Sequence, residues 1–345
     1  MRLGIIGLPQ SGKRTVFEAL TATLVDPGDR GDGKIATIRV PDARVDTLST
    51  MYNPRKTIYA QVEYHLPGTG APDKDKRGSE SSLWNQVRGC DALIHVLRNF
   101  AAYGMDPPEP AADFRRLDQE LIFNDLVSVE KRIERLSLDA KRGKKGDPEE
   151  MALLERCLEC LEAERPVRHD PELAQAPLLR GFAFLSGKPT LVLMNNADDD
   201  DDLPDTGEAL AAESCMALRG KLEQELSRME EQEAAEFLSE FGVSAPAADR
   251  VIRVSYELLG LMSFFTVGED EVRAWTLQRG LPAVKAAGVI HSDFEKGFIR
   301  AEVLSYEDLM AAGTYPEARK RGTVRLEGKT YDVCDGDIIN FRFNV

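Results

Sequence analysis

The sequence predicts an α/β protein built on a mainly parallel sheet, interrupted by an antiparallel helical hairpin and followed by a smaller α+β domain. Three observations predict it. Apolar runs of strand length alternate with helical stretches over residues 1–97 and return at 189–194. Segments 114–141 and 148–164 are long and carry leucines at helical spacing. From residue 264 onward the composition shifts to short strands and turns. A chain of 345 residues has room for roughly two or three domains.

Element by element, Leu3-Gly4-Ile5-Ile6 is a strand and Val16-Phe17-Glu18-Ala19-Leu20 begins a helix. Between them lie Gly7, Leu8, Pro9, Gln10, Ser11, Gly12, Lys13, Arg14 and Thr15, the strand–glycine loop–helix pattern of a phosphate-binding P-loop. The backbone N–H groups of such a loop and the positive helix start cradle an anion, and the lysine reaches the terminal phosphates. The motif calls for Ser or Thr directly after the lysine to hold Mg²⁺; here that residue is Arg14. Two readings stay open: Arg14 faces solvent at a decayed site, or its guanidinium pairs with phosphate oxygens in place of the metal.

Residues 26–33 read as a polar link, 37–40 as a strand, 44–51 as a short helix and 59–66 as an alternating strand. A loop from Pro67-Gly68 to about Ser79 follows, then a helix over 82–88 and a compact apolar strand over 92–97. The two leucine-rich segments form the hairpin around the turn 142–148. Its basic tip is a candidate contact for RNA or an acidic partner, or simply a solvated turn. A buried strand at 189–194 ends in Asn195-Asn196-Ala197-Asp198, and 221–241 reads as one amphipathic helix. Strands are expected at 271–276, 331–333 and 338–343, with a tight turn at Asp335-Gly336-Asp337.

A P-loop, then a strand ending in a glycine loop, then a strand ending in Asn-x-x-Asp is the order of a GTPase-type domain. The whole chain resembles the YchF subfamily of Obg-like ATPases. The resemblance is most specific in Phe264-Phe265-Thr266-Val267-Gly268, in residues 271–276 and 290–302, and in the final Phe343-Asn344-Val345. It implies a P-loop NTPase (GTPase-type) domain at 1–113 and 179–262, an inserted helical hairpin at 114–178 and a β-grasp TGS domain at 263–345. It also implies ATP or GTP as ligand, hydrolase activity, and ribosome association through the TGS domain and hairpin. Carried onto this chain, the nucleotide-binding positions are Gly7 to Thr15 with Asn195, Asn196 and Asp198, and His65 and Gly68 stand at the switch-like Asp-x-x-Gly position.

The departures from that pattern cluster where a metal and the terminal phosphate belong. Arg14 replaces a hydroxyl, His65 replaces an acidic residue, and 26–34 looks short and lacks the expected Thr-containing segment. Mg²⁺ requires oxygen ligands, so its use is in doubt. Losing its stabilisation of the transferring phosphoryl group would slow hydrolysis by roughly 10² or more. The expected function is therefore binding of a purine nucleotide, GTP or ATP, with weak or absent hydrolysis; the alternative is an active GTPase/ATPase molecular switch. Asp198 leans towards guanine, whose ring N–H and amino group it could accept from, whereas Asn196 stands where GTPases usually have lysine.

The remaining polar residues read plainly. Hydrophobic content of 42% and charged content of 30% are those of a globular protein, and a net charge of −15 argues against non-specific binding along nucleic acid. Five cysteines fit a reducing compartment, and Cys157 and Cys160, in a helical pattern without a second pair, read as structural. His95 inside an apolar strand reads as a core residue, and Asp199 to Asp202 as a solvated acidic loop rather than a metal site. No run approaches the roughly 18–20 apolar residues of a membrane span and the start lacks a signal-peptide pattern, so a cytoplasmic location is expected.

Overall fold

The computed structural model describes residues 1–26, 33–68, 79–144, 146–240 and 245–344. In chain order the elements are β1 (Arg2–Ile6), α1 (Lys13–Thr21), β2 (Lys34–Arg39), α2 (Ala43–Tyr52), β3 (Lys56–Ile58), β4 (Gln61–Leu66), α3 (Ser79–Arg88) and β5 (Ala92–Asn99). Then come α4 (Pro110–Lys141), α5 (Pro148–Glu162), α6 (Pro171–Gln175), β6 (Thr190–Asn196), β7 (Ser214–Leu218), α7 (Gly220–Leu226), α8 (Glu231–Glu240) and α9 (Ala247–Leu258). The last stretch holds β8 (Leu261–Val267), β9 (Glu271–Gln278), α10 (Ala283–Ile290), α11 (Ser292–Lys296), β10 (Phe298–Ser305), α12 (Tyr306–Ala312), α13 (Tyr315–Lys320), β11 (Arg325–Glu327) and β12 (Asp337–Phe343). They gather into two compact units, Met1–Ile38 with Glu63–Val251, and Arg39–Val62 with Ile252–Val345.

In the first unit the described strands form one sheet in the order β2-β4-β1-β5-β6-β7. β1 runs parallel to β4 and β5, β5 to β6, and β6 to β7. Parallel strands covered on both faces read as continuous apolar runs, and β6 is accordingly buried at every residue. The register sets Ile6 beside His95 and Asn99 beside Asn196. The carboxyl ends of β1, β5 and β6 thus lie along one edge, where open α/β sheets build their ligand crevices.

The hairpin of α4 and α5 has its own apolar core, including Ile122, Val129, Leu154, Cys157 and Leu161. Cys157 and Cys160 are free thiols in that core, and burial pushes Cys157 up to about 12. A buried carboxylate anchors the hairpin: Asp125 accepts the Leu185 and Ser186 N–H groups at 3.0 and 2.7 Å. No described helix is long and apolar enough to cross a membrane.

The second unit places its described strands in the order β11-β10-β12-β8-β9-β3. Its first and last main strands are adjacent and parallel, with Ile338 opposite Phe265, while β10 and β9 flank them antiparallel. This is the strand arrangement of a β-grasp, and α10 supplies Ala283, Ala286 and Ala287 to the core beside Phe264, Leu277, Val303 and Ile339. Residues 39–62 join this unit: β3 pairs parallel with β9, and Arg44 bridges Asp42 and Asp335 at 2.8 and 2.9 Å.

Two local expectations are corrected, and one strand was not foreseen. The stretch 221–241 is not one helix but α7 and α8, because Ser227 Oγ and the Arg228 guanidinium turn to Glu18 of α1, at 3.4 and 2.6 Å. At 331–333 only Asp332 pairs, in an isolated bridge to Pro282. Strand β3 had no sequence signal; three residues with no alternation acquire strand geometry only from β9.

His95 lies in β5 at 1% exposure, stacked on Phe114 at 5.3 Å, and its Nε2 has no hydrogen-bond partner. Burial pulls its pKa down to about 3. The folded state therefore refuses a proton that the unfolded chain accepts below about 6.5. Between those values this one group removes about 1.4 kcal/mol of stability per pH unit of acidification. Urea unfolding from pH 7.5 down to 4.5 is expected to show that slope, and His95→Leu to flatten it.

Candidate functional site

The turn from β1 into α1 is shaped by what surrounds it. Gly12, at φ +91°, caps α1 without any side-chain hydrogen bond, and the first turn of the helix holds no acidic residue. Its N–H groups are thus unclaimed by side chains and its dipole favours an anion. The glycines leave no room for a Cβ: at Gly7 it would sit 2.5 Å from the Val96 carbonyl oxygen, and at Gly12 it would overlap the Asn195 amide. Leu8 packs on the apolar cluster of Ile6 and Trp84, while Pro9 and Gln10 are exposed at the tip, Gln10 at φ +65°.

Asn195, 4% exposed at the end of β6, braces this loop. Its Nδ2 donates to the Ser11 carbonyl oxygen at 3.0 Å, and its Oδ1 accepts the Gly220 N–H at 3.1 Å. Gly220 was not anticipated from the sequence. The available signal is a glycine directly between a strand and a helix, and here too a Cβ would overlap the Asn195 amide. The Ser11 hydroxyl is buried without a partner.

Lys13 reaches back along the loop, its Nζ donating to the Gly7 and Leu8 carbonyl oxygens at 2.7 Å each. Burial lowers its pKa to about 8, so the ammonium is still mostly charged at neutral pH. Arg14, the second residue of α1, is exposed and makes no hydrogen bond or ion pair among the described residues. Thr15 is partly buried.

The acidic loop after β6 is organised by Asn196, which is 2% exposed. Its Nδ2 donates to the Asp200 and Asp202 carbonyl oxygens at 3.2 and 2.7 Å, and its Oδ1 accepts from Asn99 at 3.0 Å. Asn196 therefore does not stand free as a lysine stem would. Asp198 is exposed and accepts the Leu222 N–H at 3.2 Å, and Asp201 pairs with Arg219 at 2.8 Å.

The metal-side residues do not fit a magnesium ion. His65, at the end of β4, is buried, with Nδ1 4.0 Å from the Cys90 thiol and Nε2 against Gly33. Burial, then the nearby Arg2, lowers its pKa, leaving a neutral imidazole where a hard cation would want carboxylate oxygen. Gly68 N–H donates to Gln86 Oε1 at 3.0 Å. Among the described residues no group of His, Cys, Asp and Glu is placed to hold a metal. The switch-like stretches at 27–32 and 69–78 lie outside the described residues.

Similarity to known proteins follows the same lines. Over 361 aligned residues the chain is 37% identical to "Ribosome-binding ATPase YchF" of Bacillus subtilis (strain 168), covering 99% of each. The chain belongs to the YchF family. "Obg-like ATPase 1" of Caenorhabditis elegans is 33% identical, covering all of this chain and 92% of the relative. The family model YchF-GTPase_C, "Protein of unknown function (DUF933)", matches residues 261–344. The structure of the Schizosaccharomyces pombe YchF GTPase superposes with a TM-score of 0.83 at 28% identity, covering 99% of this chain and 97% of that one.

Gly12→Ala tests the brace. The new Cβ meets the Asn195 amide and a backbone conformation that L-residues avoid, so a stability loss of about 2 kcal/mol or more is expected by urea titration.

Proposed function

We propose that this YchF-family chain binds a purine nucleotide, GTP or ATP, at the loop of residues 7–15, and hydrolyses it weakly or not at all. The observation that carries the reading is the asymmetry of the site. The phosphate side is intact: an Asn195-braced glycine loop, an uncapped helix start and the Lys13 ammonium. The metal side offers Arg14 and a buried neutral His65 instead of oxygen ligands. Positioning and charge neutralisation provide nearly all of the catalysis of phosphoryl transfer, so binding can persist where turnover does not. For the base, the free carboxylate oxygen of Asp198 suits guanine, while Asn196, buried in its own loop, adds no stem along the ring. The names of the relatives support ribosome association and a cytoplasmic location, with the C-terminal unit and the hairpin as contact surfaces.

Turnover with saturating Mg-GTP and Mg-ATP tests the reading, using Lys13→Ala to expose contaminating activity. The expected rate is roughly 10² or more below that of the Bacillus subtilis relative assayed alongside. Equal rates would instead establish an active switch. Co-sedimentation with ribosomes, with and without each nucleotide, checks the partner; a chain that stays in the supernatant under every condition would exclude it.

A further inference from the structure

We propose that Arg14 supplies the charge that a metal ion supplies in other P-loops, so that this site binds its nucleotide without magnesium. The proposal rests on the nucleotide-binding reading above and deepens it.

The residues first exclude the ordinary arrangement. Mg²⁺ demands near-octahedral oxygen ligation and keeps few protein ligands, so the loss of one hydroxyl matters. The next hydroxyl, on Thr15, stands about 100° further round the helix and cannot take the same direction. The carboxylate position is the His65 imidazole, closed in by Cys90 and Gly33.

They then point to what replaces it. Arg14 is the residue after Lys13, on the first turn of a helix whose start has neither an acidic residue nor a side-chain cap. In this chain of net charge −15 a number of arginines are held by carboxylates and others are not. Arg168 pairs with Asp118 and Glu213, Arg228 with Glu18, and Arg132 with Glu150. Arg14 is exposed and pairs with nothing among the described residues, leaving its fork of donors available. A guanidinium matches two phosphate oxygens bidentately, stays charged at any working pH and needs no divalent ion. Lys13 lies deeper, its ammonium on the loop carbonyls, while Arg14 is exposed on the first turn of the helix that follows.

The test is nucleotide affinity of the full chain for fluorescent GDP, GTP, ADP and ATP, in excess MgCl₂ and in EDTA. For the series that binds, the native affinity is expected to agree within about twofold between the two conditions, and Arg14→Ala to lose about tenfold in both, the worth of a charged hydrogen bond. Arg14→Ser restores the motif and is expected to become magnesium-dependent. Because Arg14 is exposed and unpaired, both variants should melt with the native chain, and matching thermal transitions are required alongside. A tenfold or greater loss of native affinity in EDTA overturns the proposal but leaves nucleotide binding standing, as does an unchanged affinity in Arg14→Ala. Absence of Lys13-dependent binding under either condition overturns both.

Discussion

One side-chain amide sets the geometry on which the rest of the candidate site depends. Asn195 lies between the glycine loop and the start of α7, giving a hydrogen bond to Ser11 and taking one from Gly220. Both glycines it touches are required by its volume, since a Cβ on either would overlap the amide. A buried amide with both ends satisfied is stable, and one with an end unpaired is costly. The loop is therefore held by a contact that leaves little tolerance on either side. The Gly7, Leu8 and Ser11 carbonyl oxygens of the loop are engaged by Lys13 and by Asn195.

Around this brace, the first unit is tied by buried charge rather than by apolar packing alone. Glu18, 5% exposed on α1, accepts from Gln224 and Arg228 and from the Val25 N–H. Glu223 on α7 is paired with Arg250 and accepts the Ala247 N–H. The Glu18 contacts hold α1 against α7, and the Glu223 contacts hold α7 against α9. Removing one partner of such a pair leaves an uncompensated buried charge, which makes the arrangement specific even where its net stabilisation is small. Arg14 has no carboxylate partner among the described residues.

How much could be read beforehand depended on how local the signal was. The glycine loop was legible because strand, loop and helix follow one another within residues 3–20, and the C-terminal unit because its motifs are contiguous. The core position of His95 was legible from the apolar residues on either side, but its orphaned Nε2 was not, since that depends on what the neighbouring elements fail to provide. The bracing by Asn195 was illegible for the same reason: its partners lie 184 and 25 residues away. The helix over 221–241 was misread because periodicity registers apolar faces and not the pull of Glu18 on Ser227 and Arg228.

The sequence by itself determined the α/β class, the glycine loop, the leucine-rich hairpin and the departures at positions 14 and 65, because each is written in neighbouring residues and their spacing. Tertiary structure alone decided where the polar groups of those segments are spent. It turned Asn196 inward to hold the acidic loop, buried His65 against Cys90 and left Arg14 uncommitted. It also placed residues 39–62 in the second unit, where β3 exists only as a partner of β9. Hydrogen bonds and desolvation act between groups brought together by the fold, so a segment can specify its own shape without specifying what its side chains will meet.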